Sequence, residues 1–143
     1  MTSSYAKETR TLTFKLTEEI DQHTADQIRR KMDDEIERYI PRKVLLDCGD
    51  ISFMDSSAIG LVLGRYKLAK MIGGNMKIVN VDRSMKRILD MSGVSRIIDI
   101  NEKQKDDNIL NQNNIKAQIN NRIQIDNKKE MNAWKVYMIM KWN

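Results

Sequence analysis

The 143-residue sequence predicts an α/β fold, a small mixed β-sheet with helices packed against it. Three observations carry that expectation. Residues 11–17, 43–48 and 76–81 are short runs with the length and composition of strands. Between them lie longer stretches whose apolar residues recur three and four apart, the period of a helix with one buried face. Strands alternating with helices of this length imply crossover connections, which set strands side by side and lay helices across them. With 41% hydrophobic residues, a chain of this length can bury one core.

The elements follow in order. Over residues 11–17 polar and apolar residues alternate, so Leu12, Phe14 and Leu16 point inward from a half-buried strand. A polar loop, residues 18–23, leads to Thr24, Ala25, Asp26 and Gln27, which fit a capping box with Thr24 and Gln27 reaching for each other's amides. Ala25, Ile28, Met32, Ile36 and Tyr39 continue at helical spacing, and Arg29/Asp33, Arg30/Asp34 and Lys31/Glu35 form i,i+4 pairs on the other faces. Each such pair contributes only about 0.2–0.5 kcal/mol. Pro41 ends the helix and biases Ile40 towards extended geometry. Residues 43–48 then read as a central strand, with Cys48 a core thiol rather than a nucleophile.

Gly49 and Asp50 turn the chain into the stretch that organises the rest. Asp55, Ser56 and Ser57 are the short polar side chains that cap a helix N-terminus. Behind them Ile59, Val62, Leu63, Tyr66 and Ala69 recur at helical spacing until Gly73 and Gly74 stop the run. Ser56 is therefore expected at an exposed helix tip. Leu61 and Leu68 fall off the main apolar stripe and are candidates for a partner-facing rim, whereas Gly60 and Gly64 read as small residues that let the helix approach the sheet. Residues 76–81 give the next strand and residues 84–92 the next helix, with Met85, Ile88 and Leu89 inward and Gly93 closing it as a C′ residue. Residues 97–100 supply a last strand, followed by a short helix reaching Leu110.

Two segments result. Residues 1–110 form the domain, and residues 111–143 form an Asn/Lys/Ile-rich tail expected to lack regular structure. The net charge of +5 is unevenly divided, with 19 Lys and Arg against 18 Asp and Glu up to Leu110 and 6 against 2 beyond it. A nearly neutral domain argues for protein contacts rather than direct nucleic-acid binding. The apolar and aromatic end, residues 131–142, has three readings: an interfacial segment touching a membrane or the core, an extension without function, or the product of a shifted reading frame.

Several chemistries find no residues to perform them. His23 is the one histidine and Cys48 the one cysteine, which leaves no set for a metal cluster and a Ser-His-Asp site dependent on His23 alone. Gly73 and Gly74 lack the lysine and hydroxyl residue of a phosphate-binding P-loop. No N-terminal basic stretch leads into an apolar run and no segment reaches membrane-spanning length, so a cytoplasmic location without a membrane span is expected.

Four blocks carry a resemblance to a known family: Phe53 to Ser57, Leu63 to Lys67, Gly73 with Gly74, and Lys86 to Gly93. Together they resemble the STAS domain family, and within it the anti-sigma factor antagonists of sporulation in the sigma-F pathway. The resemblance implies a STAS fold and no catalytic activity or cofactor of the chain's own. It implies that Ser56 is phosphorylated by an anti-sigma factor that is also a serine kinase, with ATP used by that partner, and that a serine phosphatase resets the switch. In its unphosphorylated form the protein would bind the anti-sigma factor and release a sporulation sigma factor. Asp55 and Ser57 would shape the acceptor, and Asp21 would lie beside it. The alternative is a STAS phospho-switch of a general stress-response sigma pathway. Two positions depart from the family pattern: Glu18 and Ala58 both stand where glycine is usual. A glutamate would be strained if position 18 required positive φ, and the extra Ala58 methyl near the acceptor is expected to alter kinase docking without disturbing the fold, alanine being the better helix former.

Overall fold

The computed structural model describes residues 1–104 and 107–142, which divide into two compact units, Met1–Lys103 and Gln104–Asn143. In the first unit the order is β1 (Thr2–Ala6), β2 (Thr11–Lys15), α1 (Gln22–Tyr39), β3 (Lys43–Asp47), α2 (Ser56–Met71), β4 (Asn75–Val81), α3 (Arg83–Met91), a 3-10 turn at Val94–Arg96 and β5 (Asp99–Glu102). The five strands lie in the sheet in sequence order, with β1 antiparallel to β2 and every later pair parallel. The mixed sheet expected from the sequence is therefore present.

Register explains the core. Leu12, Val44 and Met76 stand opposite one another across β2, β3 and β4, and Phe14, Leu46 and Ile78 form the next row. All six are fully buried. Because strand side chains alternate, Thr13, Leu45 and Lys77 point to the opposite face, where they are half-buried. Met32 and Ile36 of α1, Ala58, Val62 and Ala69 of α2, and Met85 and Leu89 of α3 join the core from the helical side. Cys48 is buried there too, as its apolar run suggests.

The structure corrects several local expectations. The strand β1 was not expected; its sequence is polar and exposed, and it is held as an edge by pairing with β2 and by the Tyr5 ring stacked on Tyr39 at 4.4 Å. Helix α1 starts two residues before Thr24, with Asp21 as N-cap and Thr24 at N3, because the Asp21 carboxylate takes the first-turn amides. Asp33 pairs with Arg65 of α2 rather than with Arg29, which pairs with Asp26. Ile40 adopts the left-handed region (φ 44°) instead of extended geometry, and its carbonyl accepts from Arg10 Nη2 at 2.8 Å. Gly60 and Gly64 have open space where a Cβ would stand, so close approach to the sheet is not what they serve. Gly74 is the tight position: a Cβ there would lie 2.6 Å from the Pro41 carbonyl oxygen. Gly73 and Gly93, with φ 82° and 81°, close α2 and α3.

The second unit holds one helix, α4 (Asp107–Trp142), where the sequence reading expects a tail without regular structure. Its physical basis is plain: no glycine or proline occurs after Gly93, so nothing interrupts the backbone hydrogen bonds. Ile115, Ile119, Ile123 and Ile125 are each about half exposed. Of the apolar end, the side chains of Trp134, Val136, Tyr137 and Trp142 lie outside the described residues. Among the described residues no helix is long and apolar enough to cross a membrane.

Candidate functional site

The loop from β3 to α2 builds the site. Ile51 and Met54 are buried and anchor it, which leaves Phe53 between them 56% exposed. Asp55 has extended backbone and is the N-cap of α2, its Oδ1 accepting from the Ala58 amide at 3.0 Å. Ser56 is thus the first helical residue, exposed, and among the described residues its hydroxyl has no hydrogen-bond partner. Ser57 is half-buried beside it. Asp55 does the capping, so Ser56 is free for another role.

Ala58 is fully buried, so its methyl faces the core and cannot touch a partner. Glu18 is also unstrained: among the described residues the non-glycine positions with positive φ are Arg10, Ile40 and Asn80. Both departures from the family pattern are therefore compatible with the site.

Helix α1 begins next to α2. The Asp21 carboxylate accepts from the His23 and Thr24 amides at 2.9 and 2.8 Å and from the Thr24 hydroxyl at 3.0 Å. Those bonds, the Thr24 amide first and the Thr24 hydroxyl second, hold its pKa below the usual carboxylate value. Gln22 and Ser57, the residues after Asp21 and Ser56, line one groove between the helices. The preceding loops also meet, the Ser52 amide lying 3.5 Å from Glu19 Oε1. Asp21 and Ser56 therefore head neighbouring helices, with Asp21 engaged in its own cap.

Leu61 is not on an exposed rim, though it lines the groove between α1 and α2. It is 5% exposed, because α2 is covered by the sheet on one side and by α1 on another, and apolar residues around most of its circumference find partners. Leu68 is half-buried and packs against the core cluster. What the sequence reading missed is the pair of arginines beside Ser57. Arg65 is 8% exposed, with Nε 2.7 Å from Asp33 Oδ1, and Arg29 lines the same groove. Burial lowers the Arg65 pKa most, the Asp33 carboxylate opposes that, and Arg29 adds to it. The readable signal was a charged residue set among Leu61, Val62 and Ala69, at a spacing that buries it. Among the described residues no group of histidine, cysteine and carboxylate side chains could hold a metal ion.

The chain is 42% identical over 89 residues to the anti-sigma F factor antagonist of Paenibacillus polymyxa, covering 62% of this chain and 76% of the relative. It is 34% identical over 85 residues to the anti-sigma-B factor antagonist of Bacillus subtilis strain 168, covering 59% and 76%. Among solved structures it resembles the anti-sigma factor antagonist SpoIIAA in its unphosphorylated form, with 25% identity, a TM-score of 0.59, and coverage of 78% of this chain and 95% of that one. The Bacillus SpoIIAA structure in the phosphorylated form gives 26% identity and a TM-score of 0.54, with 78% and 98% covered. The STAS domain family matches residues 4–106, which contain the whole sheet from Ser4 onward, all three helices packed on it and the Ser56 site, and the chain belongs to that family.

Proposed function

We propose that the protein is an anti-sigma factor antagonist whose unphosphorylated form binds an anti-sigma factor with serine kinase activity and so releases a sporulation sigma factor. Phosphorylation of Ser56 by that partner, with ATP, ends the interaction, and a serine phosphatase restores it. The observation that carries this reading is Ser56 itself, exposed and unpartnered at the first turn of α2 while Asp55 holds the cap. A phosphoserine there adds roughly −1.5 to −2 charge, which the positive end of a helix tolerates. The fold need not change, and the partner meets a new charge. This function needs no catalysis and no cofactor of the chain's own. It needs no nucleic-acid contact either, and it fits a cytoplasmic protein.

The test is intact-mass analysis and peptide mapping after incubation with ATP and a purified anti-sigma factor that has serine kinase activity. One phosphate on Ser56, absent from Ser56→Ala, is expected. Ser56→Ala should keep binding the anti-sigma factor and Ser56→Asp should bind at least tenfold more weakly; equal affinities would refute the charge mechanism. A second reading, a switch in a general stress-response pathway, is favoured by the likeness to the anti-sigma-B factor antagonist. Binding to a stress-pathway anti-sigma factor and not to a sporulation one would select it.

A further inference from the structure

Five of the six exposed large apolar residues of Met1–Lys103 lie at the end of the sheet opposite Ser56. They are Tyr39, Ile40, Met71, Met91 and Ile97, and Phe53 is the sixth. The topology gathers them. Strands β2 to β5 are parallel, so α1, α2 and α3 all finish where the next strand starts, while the loop carrying Ser56 leaves the other end of β3. Backbone bonds tie these connections together. The Arg42 and Lys43 amides donate to the Arg10 carbonyl at 2.9 and 3.2 Å, and the Asn75 amide donates to the Arg42 carbonyl at 3.0 Å. Asp99 stands opposite Lys77, which brings Ile97 level with Asn75.

Positive charge collects at the same end. Residues 7–10, 37–43, 70–75 and 91–98 hold seven Lys and Arg against two Glu, although residues 1–110 as a whole hold 19 against 18. Among the described residues none of those seven has a carboxylate within ion-pair distance. Cations also flank the apolar residues along the chain: Arg38 and Arg42 stand around Ile40, Lys70 precedes Met71 and Arg96 precedes Ile97. Met71 and Met91, the last residues of α2 and α3, are each 83% exposed, and Ile40 and Ile97 about half. Bulky apolar side chains held in water at one end of a fold mark a contact surface.

We propose that this end of the domain docks on an anionic lipid surface. Met and Ile side chains enter the boundary between headgroups and acyl chains, while Lys and Arg reach the lipid phosphates. A protein partner calls for another composition, since protein interfaces are depleted in Lys and anchored by aromatic residues. Of the five apolar residues here only Tyr39 is aromatic, and its ring is stacked on Tyr5. Ser56, at the opposite end of the sheet, faces away from the lipid and stays open to a protein partner. Neither contact requires the other.

The experiment is co-sedimentation of the full chain with vesicles of phosphatidylcholine alone and of an equal mixture of phosphatidylcholine and phosphatidylglycerol. Partition onto the mixed vesicles should be roughly tenfold or more above that onto the neutral ones. Arg42→Glu/Lys43→Glu should lower it about tenfold or more, and Met71→Ser/Met91→Ser about threefold or more. All four positions are exposed, so the fold survives, and thermal melts of the variants verify this. Undiminished partition of either variant overturns the docking surface, and of both moves the lipid contact to the basic tail beyond Leu110. Equal partition onto the two kinds of vesicle, or none onto either, overturns it as well. Sedimentation equilibrium without vesicles covers the other occupant: self-association that Arg42→Glu/Lys43→Glu abolishes would assign this end to a second copy of the chain and overturn the lipid contact.

Discussion

Removing Asp33 tests how α1 and α2 are held together at the site. Its Oδ1 lies 2.7 Å from Arg65 Nε, and the two side chains are 27% and 10% exposed. At that separation, and with an effective dielectric constant near 20, the Coulomb attraction is about 6 kcal/mol. Desolvation of both groups offsets part of it. Asp33→Ala leaves the guanidinium buried and unpaired, which costs about 3 kcal/mol, the lower end of the range for broken buried pairs because Asp33 keeps some solvent. A loss of that size raises the open population roughly 100-fold. Native-state hydrogen exchange of the Val44, Leu45 and Leu46 amides, in the centre of the sheet, should accelerate by the same factor. The double variant Asp33→Ala/Arg65→Met removes both charges and should return to within about 1 kcal/mol of the wild type. Exchange unchanged in the single variant, or a double variant worse than the sum of the two singles, would refute the assignment of this pair as the tie between the helices.

Other outcomes follow from the same structure. Burial, and to a smaller extent Asp47, pushes the Cys48 thiol up to about 12, so iodoacetamide at pH 8 should label the native protein only as fast as it opens; prompt labelling contradicts this. Gly74→Ala should lose about 1–3 kcal/mol in denaturant melts because its methyl meets backbone oxygen, while Gly64→Ala, with open space around it, should gain up to about 1 kcal/mol. Asp21 has a folded pKa below its model-peptide value of 3.8, so the stability of its cap is complete above 3.8 and is lost as pH falls through the folded value. A side-chain carboxyl NMR titration should place its midpoint below 3.8, and a midpoint at or above 3.8 would refute the cap's role in that shift.

The sheet was legible because alternation is strict in β2 and apolar density is high in β3 and β4, where Leu12, Phe14, Val44, Leu46, Met76 and Ile78 are all buried. The edge strand β1 was not, since an edge that buries almost nothing carries no apolar signal and exists through its hydrogen bonds to β2. The same limit applies to helix caps. Thr24 and Asp21 are both good capping residues three apart, and only the positions of the amides decide that Asp21 caps and Thr24 reciprocates. On α2, spacing alone assigned Leu61 to a rim because one stripe was counted. A helix covered on two sides has two stripes, and Leu61 and Arg65 belong to the one that α1 covers. The exposed helix-tip position of Ser56 was legible from the run Asp55, Ser56 and Ser57, whereas the arginines on the groove beside Ser57 were not, because Arg29 and Arg65 are 36 positions apart and come to one groove only through the packing of two helices.

That packing bears on how a switch at Ser56 would act. The Ser56 hydroxyl makes no hydrogen bond and Asp55 holds the cap, so adding a phosphate breaks no contact within the described residues. The free energy of the modification then falls on the partner interface. Under the proposed function, Phe53, 56% exposed and three residues before Ser56, would give a docking partner an aromatic anchor. A phosphate on Ser56 would meet a partner packed on Phe53 as a new charge to be buried or repelled. Each 1.4 kcal/mol of that conflict weakens binding about tenfold, so about 3 kcal/mol suffices for a 100-fold switch. Phe53→Ala should therefore weaken binding of the unphosphorylated form while leaving the ratio between unphosphorylated and phosphorylated forms nearly unchanged. Titration calorimetry on both forms of the wild type and of Phe53→Ala gives the four affinities, and a ratio that shrinks in the variant would mean that the apolar contact and the phosphate do not act independently.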